Sequence, residues 1–222
     1  MSFSILHPIK ARIYNQSRLL EFLISDFSDM QSVWRRKMYA KFKQESKNIA
    51  DGDVEIEQSI HDQMLNAFDS DREYDESFYN AMFILVFSYY EDLICTLYSE
   101  ICPGMNINNI PRVSELCQKG NITLSAGAKE YVDFIFNKVR LLRNYITHNK
   151  WGRPNNPIEE VKIIKELSIK YQDITYDNST LNLKGGTFLL EVLDKERYVL
   201  LELCEKLGFD KVNCSNIEIK NL

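Results

Sequence analysis

From Lys10 to Asn48 the chain contains neither proline nor glycine, a run that suits little except long helix. Apolar residues recur through it at Ile13, Leu19, Leu20, Leu23, Ile24, Phe27, Met30, Val33, Trp34, Met38 and Phe42. Steps of three and four put them on one side of a helix. The run therefore predicts one long helix, or two in series, broken by "ADGD" at 50–53. A second helix is expected from Val54 to Phe68. A third, over about 75–101, holds "AMFILVFSYYEDLICTLYSEI", apolar enough to be buried on most sides.

The rest of the chain follows the same pattern. "CPG" at 102–104 ends the third helix, and "NNIPRVSELCQKG" reads as a short connecting helix closed by a turn at "KGN". A fourth long helix is predicted from Ser125 to Asn149, stopped by "WGRPNNP". A short helix over 158–168 comes next. In "YQDITYDNSTLNLKGG" Ile174, Tyr176, Leu181 and Leu183 alternate on either side of a polar turn, the sign of a β-hairpin near 172–184. Two strands alone are marginal, so the hairpin must lean on helices. "TFLLEVLDKERYVLLELCEKLGF" closes the pattern as an amphipathic helix with a C-terminal glycine. The expected fold class is mainly α: a helical bundle with a small C-terminal β-hairpin.

At 222 residues the chain is long enough for a substantial core, and its 45% hydrophobic content is that of a globular protein. A formal charge of −5 excludes the strongly basic balance of a bulk nucleic-acid binder. Five cysteines, Cys95, Cys102, Cys117, Cys204 and Cys214, match no paired-ligand spacing and read as free thiols. No metal or cofactor is called for. The N-terminus lacks the basic start and apolar middle of a signal peptide, and the longest wholly apolar run, "MFILVF", is too short to cross a bilayer. A soluble, cytoplasmic protein with no membrane partner is the expectation.

"RLLRNYITHNKWG", residues 140–152, concentrates the chemistry. At about 100° per residue, Val132, Ile135, Val139, Leu142 and Ile146 form the core stripe of the fourth helix. Asn144 and His148 share another face, with Arg143 at its shoulder and Thr147 between that arginine and the core. Phe134, Asn137 and Leu141 fall on the histidine face too, which predicts a cover from another helix or from a second copy of the chain. From Lys138 to Arg153 there are five basic residues and no acidic one: Lys138, Arg140, Arg143, Lys150 and Arg153. Such a cleft attracts a phosphate backbone. A second basic block, "RRKMYAKFKQESK" at 35–47, is expected to extend that track. The ten acidic residues of 51–76 read as a solvated face or a face for a basic partner.

The triplet suits RNA cleavage. RNA carries its own nucleophile, the 2′-hydroxyl. Histidine moves protons near neutral pH, arginine pairs with phosphoryl oxygens, and asparagine orients either through its amide. The plainer reading is a helix C-terminus, where histidine satisfies the dipole and arginine is a surface cation. On spacing alone that reading is the stronger. His7 beside Pro8 reads as incidental, and His61 in "IHDQM" as a satisfied surface residue. Trp151 reads as packing over the helix end. "KGG" at 184–186 lacks the glycine spacing of a phosphate loop.

"LLRNYITHNKWG" resembles the signature of the HEPN superfamily, an arginine, four to six residues, then a histidine; here Arg143, "NYIT" and His148. Asn144 matches the polar residue that often follows the family's arginine. The resemblance extends over about residues 75–208 and implies a bundle of four or five helices. It also implies metal-independent endoribonuclease activity in toxin–antitoxin, abortive-infection or other antiviral defence systems. Cleavage through the 2′-hydroxyl would leave a cyclic phosphate. The family's usual homodimer would join two motifs through the face of helix 125–149. "FSYYEDLICTLY" is similar to the neighbouring helix of family members, which makes Glu91 a candidate supporting residue along with Thr147. Residues 1–70 then form an N-terminal helical elaboration, a surface for an antitoxin or other regulatory partner, and 71–222 the HEPN-like domain. Where some toxin members carry a modifiable tyrosine two positions after the histidine, this chain has Lys150. The resemblance also admits a non-catalytic member that holds a nucleotide or a partner protein.

Overall fold

The computed structural model describes residues 4–70, 72–105, 109–148, 157–177 and 180–213. It is a mainly α-helical bundle with a small antiparallel hairpin. Helix α1 spans Pro8–Ala50, α2 Val54–Ser70 and α3 Arg72–Ile101. The short α4 covers Val113–Gly120. A nearly continuous helix follows as α5 (Ala126–Phe134), a π-helical turn (Ile135–Val139) and α6 (Arg140–His148). Helix α7 runs Pro157–Lys170, the hairpin pairs β2 (Ile174–Asp177) with β3 (Thr180–Leu183), and α8 runs Thr187–Lys206. Two three-residue strands, β1 (Ser4–Leu6) and β4 (Lys211–Asn213), pair antiparallel and tie the described ends together.

Helix α3 is the hub. Tyr79, Phe83, Val86, Phe87, Tyr90, Leu93, Ile94 and Leu97 are all buried, because α1, α4, α6, α8 and β3 pack around it. Its stretch Glu76–Ile101 is apolar enough by length and composition to span a membrane, and half of the qualifying window is buried inside the bundle. Helix α8 lies alongside with Phe188, Leu189, Val192, Leu193, Val199, Leu200 and Leu203 buried. Burying each such side chain contributes about 1.5–3 kcal/mol relative to leaving it in water, which holds the two helices together. The hairpin leans on this core through Ile174, Leu181 and Leu183.

Helix α1 is a single element, so the sequence's choice between one helix and two resolves to one. It ends where Asp51 turns left-handed, at φ 47°, ahead of Gly52 at φ 93°. Ile9, Ile13, Leu20 and Ile24 in its first half join the common core, and Tyr89 Oη donates to the Ile13 carbonyl at 2.9 Å. Past Ile24 the helix pairs with α2, and Met30 and Val33 are exposed. His7 is not incidental. Its Nδ1 accepts from the Ile9 amide at 3.3 Å, capping α1, and its ring packs on Phe209. His61 is half-buried rather than a satisfied surface residue: its Nδ1 is buried with no hydrogen-bond partner among the described residues.

Ser125 starts the motif helix. Its hydroxyl accepts from the Ala128 amide at 3.2 Å and donates to Glu202 of α8 at 2.6 Å. One side chain thus caps α5 and anchors it to α8. Ser125→Ala is expected to cost about 1 kcal/mol, the usual value of an N-cap, read as a lower midpoint in a denaturant titration.

Candidate functional site

The π-helical turn decides what α6 presents. A π turn inserts an extra residue into the helical ladder, so the faces before and after it no longer follow one wheel. Ile135, Val139 and Leu142 are buried as the even wheel requires. After the turn the core stripe continues through Tyr145, which the wheel put far from that stripe, while Ile146 is half-buried. Phe134, before the turn, is covered within the chain: Lys170 Nζ of α7 and Lys195 Nζ of α8 lie 5.9 and 5.5 Å from its ring centre. Its apolar surface is covered by other helices of this chain, the first of the two covers that the sequence allowed.

Arg143 meets Glu91 across the α6–α3 contact. Nη2 donates to both carboxylate oxygens at 2.8 Å, and Nη1 donates to Asn144 Oδ1 at 3.0 Å. The guanidinium carbon sits 4.9 Å from the Phe87 ring centre, so the ring holds the group from beneath. The two charged side chains are only 23% and 18% exposed, which fixes their geometry more firmly than a surface pair would. Among the described residues, Nε and the remaining Nη1 hydrogen have no acceptor. Thr147 donates to the Arg143 carbonyl at 2.9 Å and to the Asn144 carbonyl at 3.1 Å. Its hydroxyl proton is spent on the helix backbone that carries the site.

Glu91, Arg143 and Asn144 line a cavity of about 1150 Å³ between α3, the segment before α4, and the α5–α6 helix. Arg112, Lys129, Asp133, Phe136 and Arg140 line it as well. Lys138 points elsewhere and makes an exposed 3.9 Å pair with Glu166 of α7. None of the basic residues of 35–47 reaches the cavity wall. His148 is the last residue of α6, one turn beyond Asn144; its side chain, and all of Lys150 and Arg153, lie outside the described residues.

Comparison with family models, with curated proteins and with solved structures gives no match. The geometry therefore stands by itself.

Two features escaped the sequence reading. Arg112 and Phe136 enter the cavity through a bend before α4 and through the π turn, and neither carries a periodic signal. Glu196 did carry one. It falls on the apolar stripe of α8 between Val192, Leu193, Val199 and Leu200, and it is fully buried with neither carboxyl oxygen hydrogen-bonded. Burial, and then the charge of Glu91, push its pKa well above the usual carboxylate range. The cysteines carry no comparable signal: Cys204 is buried, Cys95, Cys102 and Cys117 are half-buried, and burial raises Cys204 to about 12. Among the described residues no three metal-ligating side chains converge.

Proposed function

We propose that this chain is a metal-independent endoribonuclease of the HEPN kind, cutting RNA by attack of the 2′-hydroxyl on the adjacent phosphorus. One observation carries the reading. Arg143 is clamped by Glu91 and Asn144 at the wall of a cavity large enough for nucleotides, about one and a half helical turns before His148. In this scheme His148 moves the proton of the 2′-hydroxyl or of the departing 5′-oxygen. The free donors of Arg143 stabilise the charge on the phosphoryl oxygens. Glu91 and Asn144 fix the guanidinium, and Lys150 and Arg153 add charge along the strand. Two copies joined along the face of helix 125–149 would place two such sets at one seam. A cytoplasmic role in phage defence or a toxin–antitoxin pair follows, with the N-terminal helices offered to an antitoxin or regulator.

The test is cleavage of mixed RNA in excess chelator. Wild type should cut, and His148→Ala should be slower by about a hundredfold or more, the usual share of a general acid or base. Equal cleavage by the two proteins, or no cleavage by wild type, sinks the reading.

A second reading is favoured by the same ion pair. Glu91 already neutralises Arg143, an arrangement that also suits a non-catalytic subunit holding a nucleotide or a partner protein. Ligand binding that survives loss of both Arg143 and His148, with no cleavage, would select it.

A further inference from the structure

Besides Lys129, the cavity is lined by two arginines that the cleavage chemistry does not use. Arg140 lies over the Phe136 ring with its guanidinium carbon 4.0 Å from the ring centre, and Arg112 lies 5.3 Å from the same centre. Among the described residues neither guanidinium has a carboxylate within ion-pairing distance. Arg140 Nε is buried and has no hydrogen-bond acceptor among the described residues. Two like charges at one ring repel, and a buried unpaired N–H costs free energy until something accepts from it. Arg143 differs, since Glu91 balances it. Arg112 and Arg140 therefore carry unspent positive charge over one ring, with Lys129 elsewhere on the wall. Val113 and Ser114, the first residues of α4, line the same wall and bring the positive end of that helix to it.

An anion with several acceptor oxygens answers all of these features together. A phosphate does so through paired N–H···O bonds, for which guanidinium forks are shaped. The cavity, about 1150 Å³, exceeds the roughly 300–1,000 Å³ that suffices for one compact ligand. Room thus remains for strand on either side of a phosphate held at Arg143.

We propose that Arg112 and Arg140, braced on Phe136, form a second phosphate subsite that grips a non-scissile phosphate of single-stranded RNA beside the Arg143 centre. The proposal rests on the ribonuclease reading for the identity of the strand. The subsite sets which linkage lies at Arg143, so it acts on strand position and affinity rather than on proton transfer.

A short single-stranded oligonucleotide with 2′-O-methyl sugars tests it, because that strand lacks the nucleophile and binds without being cut. Fluorescence anisotropy is read for wild type, Arg112→Gln, Arg140→Gln and Phe136→Leu, each first checked for an unchanged thermal melt. Each arginine variant should weaken binding about tenfold or more, and lower the slope of log K against log salt by about 0.7. Phe136→Leu keeps both charges but removes their brace, and should weaken binding less. It serves alone if an arginine variant does not fold. Wild-type affinity in all folded variants overturns the proposal, as does absence of oligonucleotide binding by wild type. Displacement of the oligonucleotide by an equal concentration of a nucleoside 5′-monophosphate overturns it too, and makes the cavity a free-nucleotide site. Arginine-dependent binding in a protein that cuts no RNA leaves the subsite standing and removes only the nuclease.

Discussion

If the chain is the ribonuclease proposed above, Glu91→Ala is expected to slow RNA cleavage by about a hundredfold while leaving substrate affinity nearly unchanged. Glu91 makes no contact that a phosphate needs. It sets the place of Arg143, whose Nη2 it takes with both oxygens at 2.8 Å. Without the carboxylate the guanidinium keeps only its contact with Phe87 and its 3.0 Å bond to Asn144. A displacement of about 1 Å in a catalytic group is enough for a loss of that size. Because the arginine matters most when charge builds on the phosphoryl oxygens, the loss should fall on kcat and spare KM. Glu91→Gln keeps the shape and one acceptor oxygen, and should recover part of the rate. A purely structural carboxylate would give a different result: the rate would fall only in proportion to the unfolded fraction and would be that of wild type well below the melting temperature. The expected stability cost is about 1–3 kcal/mol, between the small value of a surface pair and the large one of a pair fully buried.

Much of this arrangement could be read from the chain before any coordinates. The helices, the hairpin and the ends of α1, α4 and α8 follow from periodicity, glycine placement and the "ADGD" and "KGN" breaks, which are local signals. Arg143, Asn144 and Glu91 were legible as single residues, and the structure brings those three together. What the sequence hid is non-local or breaks its own period. The β1–β4 pairing joins Ser4 to Asn213, and strands of three residues carry no pattern. The π turn cannot be seen in a sequence drawn at a constant angle, and it shifts Tyr145 into the core. Arg112 carries no signal in the sequence and Arg140 is legible only as one of a basic run, until folding sets both over one phenyl ring. His7 looked incidental because capping by a ring nitrogen depends on backbone geometry rather than on residue spacing.

The largest expected gain in stability comes from Glu196. At neutral pH, Glu196→Met should raise the unfolding free energy by about 1–3 kcal/mol, since it replaces two unpartnered buried oxygens with an apolar chain of similar length. Glu196→Gln separates charge from polarity. In the folded protein the carboxyl's pKa is raised by burial and secondarily by the Glu91 charge. The unfolded chain releases that proton in the ordinary carboxylate range. Below that range both states are protonated and Glu196 contributes no pH dependence. As pH rises above it, the unfolded state is favoured, and stability is lost progressively until the raised folded pKa is reached. Glutamine cannot titrate, so melts of wild type and Glu196→Gln should diverge steadily as pH rises from about 4. A gap constant with pH would mean that the buried group does not stay protonated. The same measurement links α8 to the candidate site. Removing the Glu91 charge takes away the second cause of the upward shift, so the pH-dependent gap should narrow when both Glu196 forms are compared in a Glu91→Ala background. A carboxyl that is costly to bury, placed within electrostatic reach of the group that clamps Arg143, makes the stability of the bundle and the charge state of its cavity one coupled property.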